Sequence, residues 1–182
     1  MHDETKVGYS ISIHGFIYQV NMDIILCVSW PGKLDVTVGG GVGLGHSAMS
    51  IIIQESAEEA LLDSDYVQEH IRPVGVLPFL NRSPGGWALP GMYYLFDLPL
   101  PPDGSVTPRI NALDGEVQNF EPLDVDTTFR SLLEGQFKPS SALAILDFLL
   151  RHGFYTQETD PRYLDVCRLL KVNISLPVAW GT

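Results

Sequence analysis

The first part of the chain alternates between apolar and polar residues in a way that predicts β-strands. Residues 9–20 and 23–30 are rich in Ile, Val, Tyr and Phe, which favour strands, and the small polar Asn21 lies between them. Residues 34–38 alternate between apolar and polar, and the glycine run at 39–41 is expected to end that strand. The pattern therefore predicts strands that lead into a glycine loop.

The segment after the glycine loop has the pattern of a helix with an acidic side. Ser47 is a favourable N-cap for a helix over residues 48–62, whose apolar residues form a stripe. Offsets of three and four residues place Glu55, Glu58 and Glu59 on one side of that helix. Carboxylates on adjacent turns can bind a divalent cation, although such a cluster without context is usually a solvated helix face. The preceding strand and glycine loop favour the cation site.

The remainder of the chain predicts a hairpin, one more strand and two helices. The predicted elements are strands at 73–80, 87–98 and 116–120, and helices at 125–133 and 140–152. This order of strands and helices is typical of an α+β fold. The 182 residues are expected to form a single domain, with a core over about residues 8–153 and a C-terminal extension at 154–182.

The composition and the net charge of the chain indicate which kinds of molecule it is not expected to bind. Hydrophobic residues make up 45% of the chain and charged residues 18%, which indicates a chain that folds by itself. The 11 Lys and Arg against 22 Asp and Glu give a net charge of −11, which repels nucleic acid and acidic membrane surfaces. No apolar run approaches the roughly 18 residues of a membrane span, and the N-terminus shows no secretory pattern. We therefore expect a cytoplasmic protein without a nucleic-acid or membrane partner.

The glycine loop also admits a nucleotide-binding interpretation. Residues 40–47 nearly match the phosphate-binding pattern GxxxxGK[ST], but His46 stands where that pattern requires lysine. A mostly neutral imidazole cannot neutralise phosphates as a permanently charged lysine does. The substitution therefore disfavours a nucleoside triphosphatase.

The glycine loop and the acidic helix together resemble the Nudix box, Gx5Ex7REUxEExGU, in which U is a bulky aliphatic residue. The positions that match the box are Gly40, Glu55, Glu58, Glu59 and Leu62. The positions that depart from it are His46 for Glu, Gln54 for Arg, Ser56 for the aliphatic residue and Leu61 for Gly. The carboxylates of the box helix are thus retained, while the residues around them are changed.

Segments outside the box resemble one branch of the same superfamily. These segments are residues 31–35, 114–117, 135–139 and 142–153. They are similar to the thiamine-pyrophosphokinase-associated Nudix hydrolases of fungi, plants and bacteria, and the resemblance covers roughly residues 8–166. It implies the Nudix fold, which is an α/β/α sandwich with a mixed sheet and the loop–helix–loop of the box.

The resemblance also implies a metal site and a catalytic base. Carried over by position, Glu55, Glu58 and Glu59 would hold Mg²⁺ or Mn²⁺, with the backbone carbonyl of Gly40 as a further ligand. Glu55 or Glu116 would orient or deprotonate the attacking water, with an ordinary surface position on a strand as the alternative for Glu116. Divalent cations suit this chemistry because they neutralise the charge of a diphosphate and activate water.

The changed box positions lead to a hypothesis about charge. The arginine of the box normally pairs with carboxylates, whereas Gln54 can donate hydrogen bonds but carries no charge. Because His46 and Gln54 depart together, we hypothesise that a neutral hydrogen bond between them replaces the usual ion pair. Loss of the charge predicts a slower hydrolase.

Five residues outside the box are candidates for holding a substrate. Trp30, Trp87 and Tyr93 could stack on a flat ring or contact an apolar chain, with the protein core as the alternative for each. Neighbouring Tyr94 shares this description. Lys138 is a candidate phosphate contact, with a role at the start of a helix as its alternative.

Two functions from different classes follow from these observations. The first is metal-dependent hydrolysis of a small organic diphosphate, for which the resemblance implies thiamine diphosphate or an analogue, to a monophosphate and phosphate. The second is a degenerate Nudix domain that binds a ligand or carries out non-hydrolytic chemistry, in which His46 acts as an acid or base. The expected partner of the hydrolase is a small-molecule diphosphate, and a homodimer is left open.

Overall fold

Two β-sheets and the helices packed against them make up the described part of the chain. The structure is a computed structural model, and it describes residues 10–18, 22–27, 32–82, 88–113, 115 and 117–171. The strands are β1 (Ser10–Tyr18), β2 (Met22–Cys27), β3 (Leu34–Asp35), β4 (Val38–Gly41), β5 (Arg72–Arg82), β6 (Ala88–Pro99) and β7 (Val117–Leu123). The helices are α1 (Ala48–Ala60), α2 (Ser64–His70), α3 (Val125–Leu133), α4 (Pro139–Arg151) and α5 (Tyr163–Leu170).

The larger sheet is mixed, with the strand order β4-β1-β6-β5. Strand β1 runs parallel to β6, while the β1–β4 and β5–β6 pairs are antiparallel, and the latter confirms the predicted hairpin. One row of paired residues crosses the whole sheet: Gly40, Ile13, Tyr94 and Val76. The smaller sheet has the order β3-β2-β7 and is antiparallel.

The prediction that the glycine run ends a strand is wrong. Residues 39–41 belong to β4, which pairs with β1 over four positions from Val38 to Gly41. The predicted strand at 34–38 is instead split between β3 and β4, which lie in different sheets. Glycine disfavours a strand through its entropy, but pairing with β1 overrides this local preference.

Apolar side chains gather on both faces of the larger sheet. One group, the α1 core, consists of Val38, Ile51, Ile52, Ala60, Leu62, Val67, Ile71, Phe96, Leu98 and Leu100. The other group, the α4 core, consists of Val36, Leu77, Phe79, Tyr93, Leu95, Leu123, Phe137, Ala144, Ile145, Phe148, Leu149, Tyr155 and Leu170. Consecutive residues of β6 alternate between the two cores, as the two-residue period of a strand requires. This layered arrangement confirms the predicted α+β class.

The segment after Gly153, which the sequence predicted to be an extension, contributes to the α4 core. Tyr155 and Leu170 are both buried there, and α5 ends at Leu170. Residues 172–182 of the predicted extension lie outside the described residues. Among the helices that the structure describes, none is long and apolar enough to cross a membrane.

Candidate functional site

Helix α1 begins with a reciprocal cap that fixes how it leaves the glycine loop. The backbone N–H of Ser50 donates to Oγ of Ser47 at 3.0 Å, and the backbone N–H of Ser47 donates to Oγ of Ser50 at 3.1 Å. Gly45, two residues earlier, has φ of +85°, a backbone conformation that suits glycine. The predicted N-cap is confirmed, and the turn before it connects β4 to α1.

Glu55 of α1 approaches the backbone of Gly40 very closely. A β-carbon added at Gly40 would lie 2.6 Å from Cγ and 2.5 Å from Cδ of Glu55. Real β-carbons essentially never have neighbours at such distances, so only glycine leaves room for this carboxylate. The two sequence-predicted metal ligands are therefore brought together by the close contact of α1 and β4.

Glu59 lies one helical turn further along α1 and is held against the same strand. One of its oxygens, Oε2, accepts a hydrogen bond from the backbone N–H of Gly39 at 3.1 Å. The side chain is buried, with 7% of the residue exposed. Burial of a charge is costly unless hydrogen bonds or a cation compensate it. Glu55 and Glu59 thus face two consecutive glycines of β4.

Glu58 and Gln54 form a pair of their own on the exposed side of α1. The amide Nε2 of Gln54 donates to Oε1 of Glu58 at 2.9 Å, across one helical turn. The amide is therefore directed to Glu58, and not to His46 as the hypothesis from the sequence required. His46 is exposed in the glycine loop, where its backbone N–H donates to the carbonyl of Gly43 at 3.3 Å.

The other two changed box positions have clear structural consequences. Ser56 is buried and donates from Oγ to the carbonyl of Ile52 at 2.6 Å, so its hydroxyl is satisfied within α1. Leu61 ends α1 in the left-handed conformation, with φ of +51°, and the N–H of the following Leu62 donates to the carbonyl of Ser56 at 3.1 Å. The glycine of the box suits this conformation, and Leu61 adopts it at a steric cost.

A loop before β7 is attached to the end of α1. Nδ2 of Asn111 donates to the carbonyl of Glu58 at 2.7 Å, and the N–H of Arg109 donates to the carbonyl of Ala60 at 2.8 Å. No local pattern in the sequence indicates these contacts, because they join residues about fifty positions apart. Glu116, the predicted downstream carboxylate, follows this loop but lies outside the described residues.

The structure gives Lys138 and Tyr93 surroundings that favour their alternatives. Nζ of Lys138 is 2.9 Å from Oδ2 of the buried Asp35, and Lys138 directly precedes α4. Tyr93 has 2% of its surface exposed and stacks on Phe79 with ring centroids 4.0 Å apart. Trp30 and Trp87 lie outside the described residues.

A charged cluster that the sequence analysis missed connects β6 to α4. Asp97 accepts two hydrogen bonds from the guanidinium of Arg151, at 2.8 and 3.0 Å, and Nε2 of His152 lies 2.9 Å from Oδ2 of Asp97. Nε of Arg151 also donates to Asp147 at 2.6 Å, and together these hydrogen bonds outweigh the opposing effect of burial and raise the pKa of Arg151. The cluster stabilises the packing of α4 on the sheet. Its basic members lie in the segment that carries the family resemblance, but nothing in the sequence identified Asp97 as their partner.

The site contains carboxylate oxygens that could bind a metal ion, but few of them lie close to one another. No group of three His, Cys, Asp or Glu side chains lies close enough to hold a metal ion among the residues that the structure describes. Glu55 and Glu59 are the two carboxylates that share the surface of β4, since Glu58 turns to Gln54. Mg²⁺ commonly takes one or two carboxylates and completes its shell with water and phosphate oxygens. A pair of carboxylates beside a glycine backbone therefore fits such an ion.

Comparison with known proteins gives relatives that carry the Nudix name. The chain is 30% identical over 172 residues to Nudix hydrolase 24, chloroplastic, of Arabidopsis thaliana. The matched region covers 90% of this chain and 45% of that protein. The chain is also 30% identical over 159 residues to an uncharacterised protein of Saccharomyces cerevisiae, covering 82% of this chain and 45% of that protein. The chain thus spans less than half the length of these relatives. No protein-family model matches the sequence.

Solved structures with the same fold are more distant in sequence. A bifunctional NMN adenylyltransferase/ADP-ribose pyrophosphatase from Francisella tularensis, determined with AMP and a manganese ion, matches 81% of this chain with a TM-score of 0.62 at 15% identity. The dihydroneopterin triphosphate pyrophosphohydrolase of E. coli matches 78% of it with a TM-score of 0.58 at 19% identity. These likenesses show that the chain has the Nudix fold. Together with the named relatives, they support its membership of the Nudix hydrolase superfamily.

Proposed function

We propose that this domain hydrolyses the diphosphate of a small organic molecule with the help of a divalent cation. The observation that carries the proposal is the fit of the Glu55 carboxylate against Gly40, with Glu59 bonded to Gly39 one turn away. A solvated acidic helix face would not need a glycine beneath one carboxylate or a buried position for another. The arrangement is what a site for a cation bound to a phosphate requires.

The residues of this site would hold Mg²⁺ or Mn²⁺ through Glu55, Glu59 and the carbonyl of Gly40. Glu58 is one helical turn from Gln54, and rotation of its side chain away from that amide would add a further oxygen. When bound, the cation neutralises phosphate charge and lowers the pKa of water. This local positive charge matters because the whole chain carries a net charge of −11, which by itself repels a diphosphate.

The chemical step needs a carboxylate that takes a proton from water. In the proposal, an oxygen of Glu55 or Glu116 accepts that proton as the water oxygen bonds to phosphorus. The bond between phosphorus and the bridging oxygen breaks, so the products are an organic monophosphate and inorganic phosphate. The accepted proton then passes to solvent or to a product phosphate, which returns the carboxylate to its starting state.

The organic half of the substrate is proposed from the family resemblance. The segments outside the box resemble thiamine-pyrophosphokinase-associated hydrolases, which makes thiamine diphosphate and its analogues the first compounds to test. The relatives named as Nudix hydrolases support the general class of reaction.

Phosphate release by the full chain tests this proposal. Thiamine diphosphate, its analogues and a panel of other organic diphosphates are incubated with Mg²⁺ or Mn²⁺, and then with excess chelator. We expect release with the metal, none with chelator, and at least a hundredfold loss in Glu55→Gln. The matched control is Glu69→Gln, which removes an exposed carboxylate of α2 and should retain full activity.

The alternative of a non-hydrolytic domain predicts a different outcome. Folded wild-type protein would then release no phosphate from any compound, with either metal. That result would overturn the proposed hydrolysis.

A further inference from the structure

A row of backbone-paired residues leads from the carboxylate site across the larger sheet to exposed apolar side chains. Gly40 pairs with Ile13, Ile13 pairs with Tyr94, and Tyr94 pairs with Val76, so these four residues form one row across the sheet. Neighbouring strands are about 4.8 Å apart. Tyr94 therefore lies about 10 Å from Gly40, which is two strand spacings along the row.

Gly40 and Tyr94 share the face of the sheet on which α1 packs. The space that a β-carbon of Gly40 would take is filled by Glu55 of α1, so that position faces the helix. Tyr94 is partly buried against the α1 core, whereas its neighbour Tyr93 belongs to the α4 core on the opposite face. The two adjacent tyrosines, similar in the sequence, thus have different surroundings.

Beyond Tyr94 this face carries exposed apolar side chains. Val76 of β5 pairs with Tyr94 and therefore lies on the same face of the sheet as Tyr94. Met92 is two residues before Tyr94 on β6, so it also lies on that face. The exposed fractions are 53% for Val76, 58% for Leu80 and 39% for Met92. We call Val76, Leu80, Met92 and Tyr94 the sheet platform. Exposed apolar residues that cluster in this way commonly mark a binding surface.

We infer that the sheet platform binds an uncharged, apolar part of the organic half of the diphosphate substrate. The inference rests on the proposed function, since the platform is identified by its place beside the carboxylate site. For a diphosphate held through a cation at Glu55 and Gly40, Tyr94 is the first platform residue along the row, about 10 Å away. None of the four platform side chains carries a charge, so the platform favours apolar contact over polar or ionic recognition.

Paired substrates and paired variants test the inference. The substrates are benzyl, isopentyl and methyl diphosphate, together with a sugar diphosphate, all with Mg²⁺. Benzyl and isopentyl diphosphate represent the aromatic and aliphatic forms of an apolar group. We expect the KM for the better of these two substrates to be at least about tenfold lower than the KM for methyl or sugar diphosphate. The substrate with the lower KM shows whether the apolar group is aromatic or aliphatic.

The platform is altered by the double variant Val76→Thr with Met92→Gln, which keeps side-chain size at exposed positions. Its KM for the better apolar substrate should rise about tenfold, with kcat and the KM for methyl diphosphate unchanged. The control is Leu133→Gln, because Leu133 is 81% exposed at the end of α3, a helix whose apolar residues pack against the α4 core. This control should leave every constant unchanged.

The outcomes separate the inference from the proposed function. Hydrolysis with equal KM values for apolar and methyl substrates, or with no response to the double variant, would overturn the platform and leave the hydrolase intact. If no substrate is hydrolysed, calorimetric binding of benzyl phosphate and isopentyl phosphate decides. Binding that the double variant weakens supports the platform, and equal or absent binding overturns it.

Discussion

The carboxylate of Glu55 lies in the space that a side chain at Gly40 would fill. A β-carbon there would be 2.5 Å from Cδ of Glu55, so only glycine leaves room for the carboxylate in this position. This contact brings a candidate base and a candidate carbonyl ligand together.

Replacing Gly40 with alanine should therefore damage the site more than the fold. Because Glu55 is only partly buried, its side chain can rotate away from the new methyl group, which costs about 1 kcal/mol or less in the free energy of unfolding. The same rotation removes the carboxylate from the cation, so kcat should fall at least tenfold. Steady-state kinetics and urea unfolding measure the two effects.

The control for this variant is Gly43→Ala in the same loop. A β-carbon at Gly43 would meet only Cδ2 of His46, at 3.8 Å, which is an ordinary contact. Gly43→Ala should keep its activity. Equal losses in the two variants would show that the loop tolerates no alanine and that the contact with Glu55 is not the cause.

Leu61→Gly should stabilise the protein. Leu61 adopts φ of +51° at the end of α1, where a leucine side chain crowds its own backbone. Glycine removes that crowding but adds entropy to the unfolded chain, so the expected net gain is about 0.5 kcal/mol. Urea unfolding of Leu61→Gly and Leu61→Ala is the measurement. Leu61→Ala keeps the strained backbone, and a glycine variant less stable than the alanine variant would contradict the account.

Several elements were predictable because their signals are local. The N-cap Ser47, helix α3 with its bounds at 125 and 133, and the β5–β6 hairpin follow from capping residues, periodicity and turn residues. Strand β4 was missed because its stability comes from pairing with β1, and glycine gives no local sign of that pairing.

Local sequence signals also predicted part of the candidate site. Helical spacing alone groups Glu55, Glu58 and Glu59, yet it does not show that Glu58 turns to Gln54. The distinction between Tyr93 and Tyr94 needs the sheet, because it depends on which face meets which helix. Asp97 and Arg151 are far apart in sequence, and their pairing depends on how α4 packs.

Asp97→Asn should lower stability without changing the chemistry of the carboxylate site. Asp97 is 8% exposed and accepts hydrogen bonds from both terminal nitrogens of the Arg151 guanidinium, so its neutralisation leaves Asp147 as the carboxylate partner of Arg151. The loss of hydrogen bonds to a charged group costs about 1.5–3 kcal/mol, and the free energy of unfolding should fall by that amount. The exposed pair of Asp165 and Arg168 supplies the control, because Asp165→Asn should change stability by less than about 0.5 kcal/mol. A loss in Asp97→Asn no larger than in the control would count against the cluster as a stabilising contact.

Asp160 gives the fold a dependence on acid. Hydrogen bonds from the Arg162 side chain and backbone lower the pKa of Asp160 from 3.8 to about 2. Because the pKa is lower in the folded state, the ionised carboxylate contributes fully to stability at pH values above 3.8. This contribution is lost as the pH falls through about 2. Melting temperatures of wild type and Asp160→Asn should therefore differ above pH 4 and converge between pH 4 and 2. A difference that stays constant over that window would contradict this role of Arg162.

The most direct test of the account is a titration of the protein with Mn²⁺, followed by electron paramagnetic resonance of the free ion. Wild type should bind the ion, Glu59→Gln should bind it at least tenfold more weakly, and Glu69→Gln should match wild type. Circular dichroism confirms that all three are folded. Affinity that is equal in the three proteins, or absent from wild type, would contradict the assignment of a cation site to α1 and β4.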